Sequence, residues 1–214
     1  ENVKSKILNL AIQGKLVPQD PSDEPAIELL RRINPDFKPC DNSHYENLPE
    51  GWVECKISDI CKVVMGQSPD GKTVSQTDGV EFHQGKLAFG ETYLTNSDVY
   101  TSAPTKITEA HSIVLCVRAP VGIPNITERR ICIGRGLCAI SCSPAIELKF
   151  LFYCLQTLQR YFENLSTGST FNAISGDVVK NAVIPVPPLQ EQHRIVAKIE
   201  EFLKLFKESV DFLN

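Results

Sequence analysis

The last fifty residues restrict the possible folds more than any other part of the chain. A loop of small and polar residues, Thr167-Gly-Ser-Thr-Phe-Asn-Ala-Ile-Ser-Gly-Asp-Val-Val179, precedes a short apolar strand over 182–186. The stop Pro185-Val-Pro-Pro188 follows, and a long helix begins at about Pro188. Proline ends a ladder and suits the first turn of a helix, so the break between strand and helix is fixed there. Along the helix, Ile195, Phe202 and Ser209 share one heptad position and Ile199, Phe206 and Leu213 the other; five of these six are apolar. One reading is an assembly seam of Ile195, Ile199, Phe202 and Phe206 that captures a partner. The other is an amphipathic helix packed on its own domain. The helix is still running at Asn214 and the chain opens without Met, from which we expect a shortened chain or a docking partner, and a leading residue or tag removed.

The opening of the chain is helical too. Val3, Ile7, Leu10 and Ala11 follow helical spacing over 3–13, with Gly14 as the stop and Pro18 beyond it. A second helix is expected from Asp23-Glu-Pro25 to Ile33. A polar connector then reaches Leu48-Pro-Glu-Gly-Trp52. From Val53 the pattern turns to strands: Lys62–Met65, Ser112–Val117, Arg130–Ile133 and Leu137–Ser141, separated by turn residues. Pro144–Leu165 reads as one core helix capped by Ser143, and a short helix follows Ser175. The first and last helices have no evident mate in their own domain. The expected class is α/β (α+β): a mixed, β-rich domain over 48–187, a helical segment and connector over 1–47, and a coiled-coil-like helix over 188–214.

At 214 residues with no apolar run near 18, the chain has no membrane-spanning signal, and no secretory signal is visible. Its eight cysteines form no C-x-x-C pair and sit mostly among aliphatic residues. They read as buried thiols, which places the chain in a reducing cytoplasm. The net charge of −4 argues against a uniformly basic nucleic-acid binder. The charge is uneven, however. Residues 20–54 carry nine acids and three bases, whereas 101–149 carry six bases and three acids. A local basic surface on an acidic chain is therefore expected.

Several strings in the chain approach catalytic patterns. Gly66-Gln-Ser-Pro-Asp-Gly-Lys-Thr73 matches the phosphate-binding G-x-x-x-x-G-K-[ST] string, but the polar, β-branched stretch after it is a poor helix. Asp36, Glu54 and Lys56 loosely match the carboxylate–lysine set of metal-dependent nucleases, which makes a nuclease the first alternative. Asn34-Pro-Asp-Phe37 is one residue from an amino-methyltransferase motif, with no glycine-rich cofactor loop beside it. The four histidines lie in different segments without metal-ligand spacing. No catalytic residue, metal site or cofactor is expected in this chain. Arg118, Arg129, Arg130 and Arg135 fall within eighteen residues of turn-rich sequence. Arginine forks onto guanine or phosphate, and Gln67, Asn125 and Asn172 suit adenine edges. The opposing reading is a set of solvated side chains at a sheet edge.

In order, Ile7-Leu-Asn-Leu-Ala-Ile-Gln-Gly-Lys-Leu-Val-Pro-Gln-Asp-Pro21, Leu48–Trp52, Gly66-Gln-Ser-Pro69, Ile133-Gly-Arg-Gly-Leu-Cys-Ala-Ile140, Thr167–Phe171 and Pro187-Pro-Leu-Gln-Glu-Gln-His-Arg-Ile-Val196 resemble landmarks of the DNA-specificity subunit of type I restriction–modification systems. Such a subunit holds two recognition domains apart with two helices, and each domain reads half of a split site. The resemblance implies a non-enzymatic half-subunit or one-domain fragment that binds double-stranded DNA. Gln67, Ser68, Lys72, Arg118, Arg129, Arg135, Ser169, Thr170 and Asn172 would form its DNA face. The implied partners are separate methyltransferase and restriction subunits, with a homodimer through the terminal helices as a further possibility. The second alternative is an interaction scaffold whose helices are the whole function.

Overall fold

The computed structural model describes residues 3–40, 44–167 and 172–211. In chain order come α1 (Val3–Ile12), α2 (Ala26–Ile33), β1 (Val53–Lys56), α3 (Ile57–Ile60) and β2 (Cys61–Met65). Eight short strands follow: β3 (Val74–Ser75), β4 (Val80–His83), β5 (Tyr100–Thr101), β6 (Ile107–Thr108), β7 (Ser112–Cys116), β8 (Pro124–Thr127), β9 (Ile131–Ile133) and β10 (Leu137–Cys142). Then come α4 (Leu148–Thr157), α5 (Gln159–Leu165), α6 (Gly176–Asn181), β11 (Val183–Val186) and α7 (Leu189–Asp211). The architecture is the mixed α/β one read from the sequence.

The chain divides into two compact units, each drawn from separated segments. One, the helical unit, takes Glu1–Ile60, Pro144–Thr157 and Val183–Asn214. The other, the sheet unit, takes Cys61–Ser143 and Leu158–Ala182.

In the helical unit, α1 packs on α4 and α7, and α4 packs on α7. The expected absence of a mate for the terminal helices is thereby corrected. The reason lies in α4, where Phe150 to Leu155 are six consecutive buried residues. A helix apolar on every side needs covering on every side, and the amphipathic α1 and α7 supply the cover. Ile7, Leu8 and Ala11 of α1 and Ile195, Val196 and Ile199 of α7 are buried there. Gly14, at φ 67°, ends α1 as expected, and Lys15 N donates to Leu10 O at 2.9 Å. A two-stranded antiparallel ribbon joins β1 to β11, pairing Val53 with Val186.

The single helix expected over Pro144–Leu165 is two helices. Glu147, not Ser143, caps the first: its carboxylate accepts Phe150 N at 2.6 Å. Leu158, at φ −86° and ψ 0°, breaks the run, and α5 then belongs to the sheet unit. Apolar spacing alone does not reveal the break, because both pieces present apolar residues inward.

The sheet unit holds an antiparallel sheet in the order β2-β10-β7-β8 and a second sheet in the order β3-β5-β4-β9-β6. In the second sheet only β4 and β9 run parallel. Every residue of β7, Ser-Ile-Val-Leu-Cys, is buried, as a near-continuous apolar run predicts for a strand covered on both faces. Leu94, Val114, Cys116, Ile131, Ile133, Leu137 and Ala139 form one core cluster, with Phe89 and Ile123 against it.

Candidate functional site

Antiparallel register gathers three loops at one end of the first sheet. Met65 at the end of β2 faces Cys138 near the start of β10, and Leu137 and Cys138 face Cys116 and Leu115 at the end of β7. The loops after β2, before β10 and after β7 therefore emerge side by side. Backbone bonds tie them together. Gly66 N donates to Leu137 O at 2.9 Å and Gln67 N to Ile133 O at 3.0 Å. Val117 N donates to Gly136 O at 2.9 Å. A fourth segment joins at the other side, where Ile174 N donates to Val117 O at 2.9 Å and Ala119 N to Asn172 O at 3.1 Å. Close passage explains the glycines: a Cβ on Gly66 would lie 2.1 Å from Gly134 O.

This clustering brings together Gln67, Ser68, Arg118, Arg135 and Asn172 from four separate stretches of sequence. The Ser68 hydroxyl accepts Arg135 N at 3.4 Å. Gln67, Arg118, Arg135 and Asn172 are exposed. Among the described residues neither Arg118 nor Arg135 has its guanidinium paired with another side chain. Lys72 sits exposed farther along the loop that begins at Gln67, in the one-turn helix Gly71–Thr73 capped by Asp70. The Thr105 hydroxyl donates to Gln67 O and pins that loop. Ser169 and Thr170 lie outside the described residues.

Two expected site residues belong to the fold instead. Arg129 donates to both carboxylate oxygens of Glu81 at 2.9 Å and to Thr95 O at 3.1 Å. Its fork is occupied by Glu81 within the protein, unlike those of Arg118 and Arg135. Asn125 is 1% exposed and donates to Gly90 O at 3.0 Å, so it reads no base. Around Glu81, burial alone would raise the pKa, but Arg129, Ser97 N and His83 outweigh it and hold the carboxyl at about 2. Burial lowers the pKa of His83, and the Glu81 contact at 2.9 Å only partly opposes this.

The nuclease set does not form. Both Glu54 oxygens accept backbone N–H groups, from Tyr45 at 3.0 Å and His44 at 2.8 Å, so this carboxylate closes the connector. Asp36 and Lys56 are exposed, and Asp36 lies in a turn whose N–H is taken by the Asn34 side chain. Among the described residues no three His, Cys, Asp or Glu side chains gather as a metal site. The G-x-x-x-x-G-K-T string is followed by β3 after its single turn, not by a helix, and so lacks the phosphate-binding frame.

The Pro187–Val196 motif does other work. Glu191, 1% exposed, accepts Trp52 Nε1 and Gln19 Nε2, each at 3.0 Å, and burial raises its pKa. The fully buried Gln192 donates to Ala145 O and Pro187 O and accepts Glu147 N, at 3.0, 3.0 and 2.8 Å. Arg194 forks onto Asp23 at 2.6 and 3.3 Å. Three nearby side chains thus lock the start of α7 to three other segments of the helical unit. Beyond them the expected seam divides. Ile195 and Ile199 are fully buried in their own unit, whereas Phe202 is partly buried under Lys198 (4.8 Å to the ring) and Phe206 is 46% exposed.

Sequence reasoning missed Gln84, Lys86 and Leu87. A Cβ on Gly136 would meet Gln84 O at 2.5 Å, so this stretch flanks the Arg135 loop. Its only signal is a glycine-containing turn without periodicity.

The sheet unit thus presents a cluster of exposed arginines and amides at one end of its first sheet. The chain belongs to the family described as type I restriction modification DNA specificity domain, whose model matches residues 49–209. It is similar to the putative type I restriction enzyme MjaX specificity subunit of Methanocaldococcus jannaschii, at 38% identity over 162 residues that cover 74% of this chain and 38% of that one. The EcoAI specificity subunit of Escherichia coli is 26% identical, over 94% of this chain and 39% of its own. A solved structure of the HsdS subunit from Thermoanaerobacter tengcongensis superposes with a TM-score of 0.68 at 32% identity, covering 84% of this chain and 44% of that one. The chain thus spans less than half the length of these relatives.

Proposed function

We propose that the chain reads one half of a bipartite DNA target for a type I restriction–modification complex. The observation that carries this reading is the convergence of Gln67, Ser68, Arg118, Arg135 and Asn172 at one end of the β2-β10-β7-β8 sheet. Side chains with forked or paired donors suit the major groove, and phosphate contacts set register. Within the stretch 48–187 that the sequence assigns to recognition, all these loops belong to the sheet unit. The chain supplies no catalytic group and no cofactor. Methyl transfer and cleavage belong to separate methyltransferase and restriction subunits, and the complex acts in the cytoplasm. No described helix is long and apolar enough to cross a membrane. The outer part of α7, where Leu205 and Phe206 are 52% and 46% exposed, supplies the surface for a second copy or a partner subunit.

The test is a salt-dependent mobility shift on duplex DNA with the full chain assembled with the methyltransferase subunit. It is paired with mapping of methylated sites in cells carrying the system. We expect one half-site that changes on Arg135→Ala. Binding that is indifferent to sequence, or metal-dependent cleavage by the chain alone that is lost in Glu54→Ala, would overturn the proposal.

A further inference from the structure

We propose that Leu87 reads the C5-methyl group of a pyrimidine in the major groove and thereby sets one base of the target. The inference rests on the DNA reading above and names a contact that reading does not include.

Leu87 is 103% exposed, whereas the next most exposed large apolar side chain among the described residues, Leu205, stands at 52%. The turn that carries it is well bonded. Lys86–Ala88 is a one-turn 3₁₀ helix closed by Phe89 N donating to Lys86 O at 2.9 Å. Ala88 O also accepts Thr95 N at 2.8 Å and the Thr95 hydroxyl at 3.1 Å. The turn stands beside the Arg135 loop. Gly134 N donates to His83 O at 2.7 Å, and a Cβ on Gly136 would lie 2.5 Å from Gln84 O and 4.0 Å from Gly85 Cα. Lys86 places its charge near the end of β7, where it partly offsets the burial that pushes the Cys116 thiol up to about 12.

The face therefore presents an exposed leucine on a hydrogen-bonded turn, with the Gln84–Gly85 backbone against the Arg135 loop. Leucine offers no donor or acceptor. Among base edges in the major groove, the apolar feature that rewards such a side chain is a pyrimidine C5-methyl group. Two bases carry it, thymine and 5-methylcytosine.

The full chain, assembled with the methyltransferase subunit it is proposed to serve, first selects duplexes from a randomised pool. The selected site is then remade with deoxyuridine for each thymidine in turn and with 5-methylcytosine for each cytosine. If thymine is the partner, one deoxyuridine weakens wild-type binding by about three- to tenfold, the worth of roughly one buried methyl group, and leaves Leu87→Ala unaffected. If 5-methylcytosine is the partner, one added methyl strengthens wild-type binding by a similar factor and again leaves Leu87→Ala unaffected. Leu87→Met keeps the discrimination in either case. Identical responses of wild type and Leu87→Ala to every substitution overturn the Leu87 contact while the DNA reading stands. A wild-type complex that enriches no sequence overturns both.

Discussion

The two units put the same kinds of side chain to opposite uses. In the helical unit the polar groups are turned inward: Glu191, Gln192 and Arg194 bond to Trp52, Ala145 and Asp23, and their donors and acceptors are consumed in holding segments together. At the sheet end of the other unit, Arg118 and Arg135 are exposed, and the bonds that position them are made by their own backbone atoms, to neighbouring main chain and to the Ser68 hydroxyl. A side chain left available needs its main chain fixed by something else. The crossing of Gly66 over Gly134 does that here. Arg129 and Arg135, six residues apart, show both uses within one unit, since Arg129 is forked onto Glu81.

This contrast can be broken most severely inside the helical unit. Ile199→Ala removes a fully buried side chain between α7 and its neighbours and should cost about 2–5 kcal/mol, read by urea denaturation with Trp52 fluorescence. A loss below 1 kcal/mol would show that α7 is not part of that core. Acid separates the two units by sign. Glu81 is held at about 2 against an ordinary 4.5, so the stability it contributes is present above 4.5 and is lost as pH falls from there towards 2. Glu191 is raised, so its burial is best tolerated below its ordinary 4.5 and becomes unfavourable as pH rises through its folded value. Amide protection factors in β4 and β9, corrected for the intrinsic exchange rate at each pH, should therefore fall between pH 4.5 and 2, and Glu81→Gln should flatten that dependence. Trp52, the only tryptophan, should report the opposite slope, and Glu191→Gln should flatten it.

On the sheet side, Arg135→Ala should lose about 1–3 kcal/mol of DNA affinity and leave stability unchanged. Arg129→Ala should do the reverse, and thermal melts beside binding isotherms distinguish the two. The smallest effect on folding is expected from Phe206→Glu, within about 0.5 kcal/mol of wild type by denaturation. The same change should abolish partner capture in sedimentation, and unchanged assembly would place the interface elsewhere.

Much of this contrast was legible in the sequence, through two kinds of signal. Apolar runs placed β7 and β10, and capping and proline signals placed α1, α6 and α7 within a few residues. The Gly-Arg-Gly and Gly-Gln-Ser-Pro strings pointed to loops that do meet in space. What failed were judgements that depend on tertiary partners. Arg129 and Arg135 look alike in sequence, and only the position of Glu81, forty-eight residues earlier, tells them apart. Strand β8, Pro-Asn-Ile-Thr, carries too much polar character to read as buried, yet all four residues are buried. The heptad pattern of α7 continues smoothly past Ile199, although its cover does not.

The interrupted layout of the two units has a consequence for synthesis. The chain passes from one unit to the other four times, after Ile60, Ser143, Thr157 and Ala182. On the ribosome, every strand of both sheets of the sheet unit has been made by Cys142, while the ribbon partner of β1 and all of α7 are still unmade. At about 5–20 residues per second, α1 and β1 wait seconds for their apolar cover. Three of the four loop segments that meet at the sheet end are therefore made early, the Asn172 segment follows, and the helical unit closes only when the final helix arrives. Over that interval Ile7, Leu8 and Val53 are the side chains a nascent-chain chaperone would find uncovered.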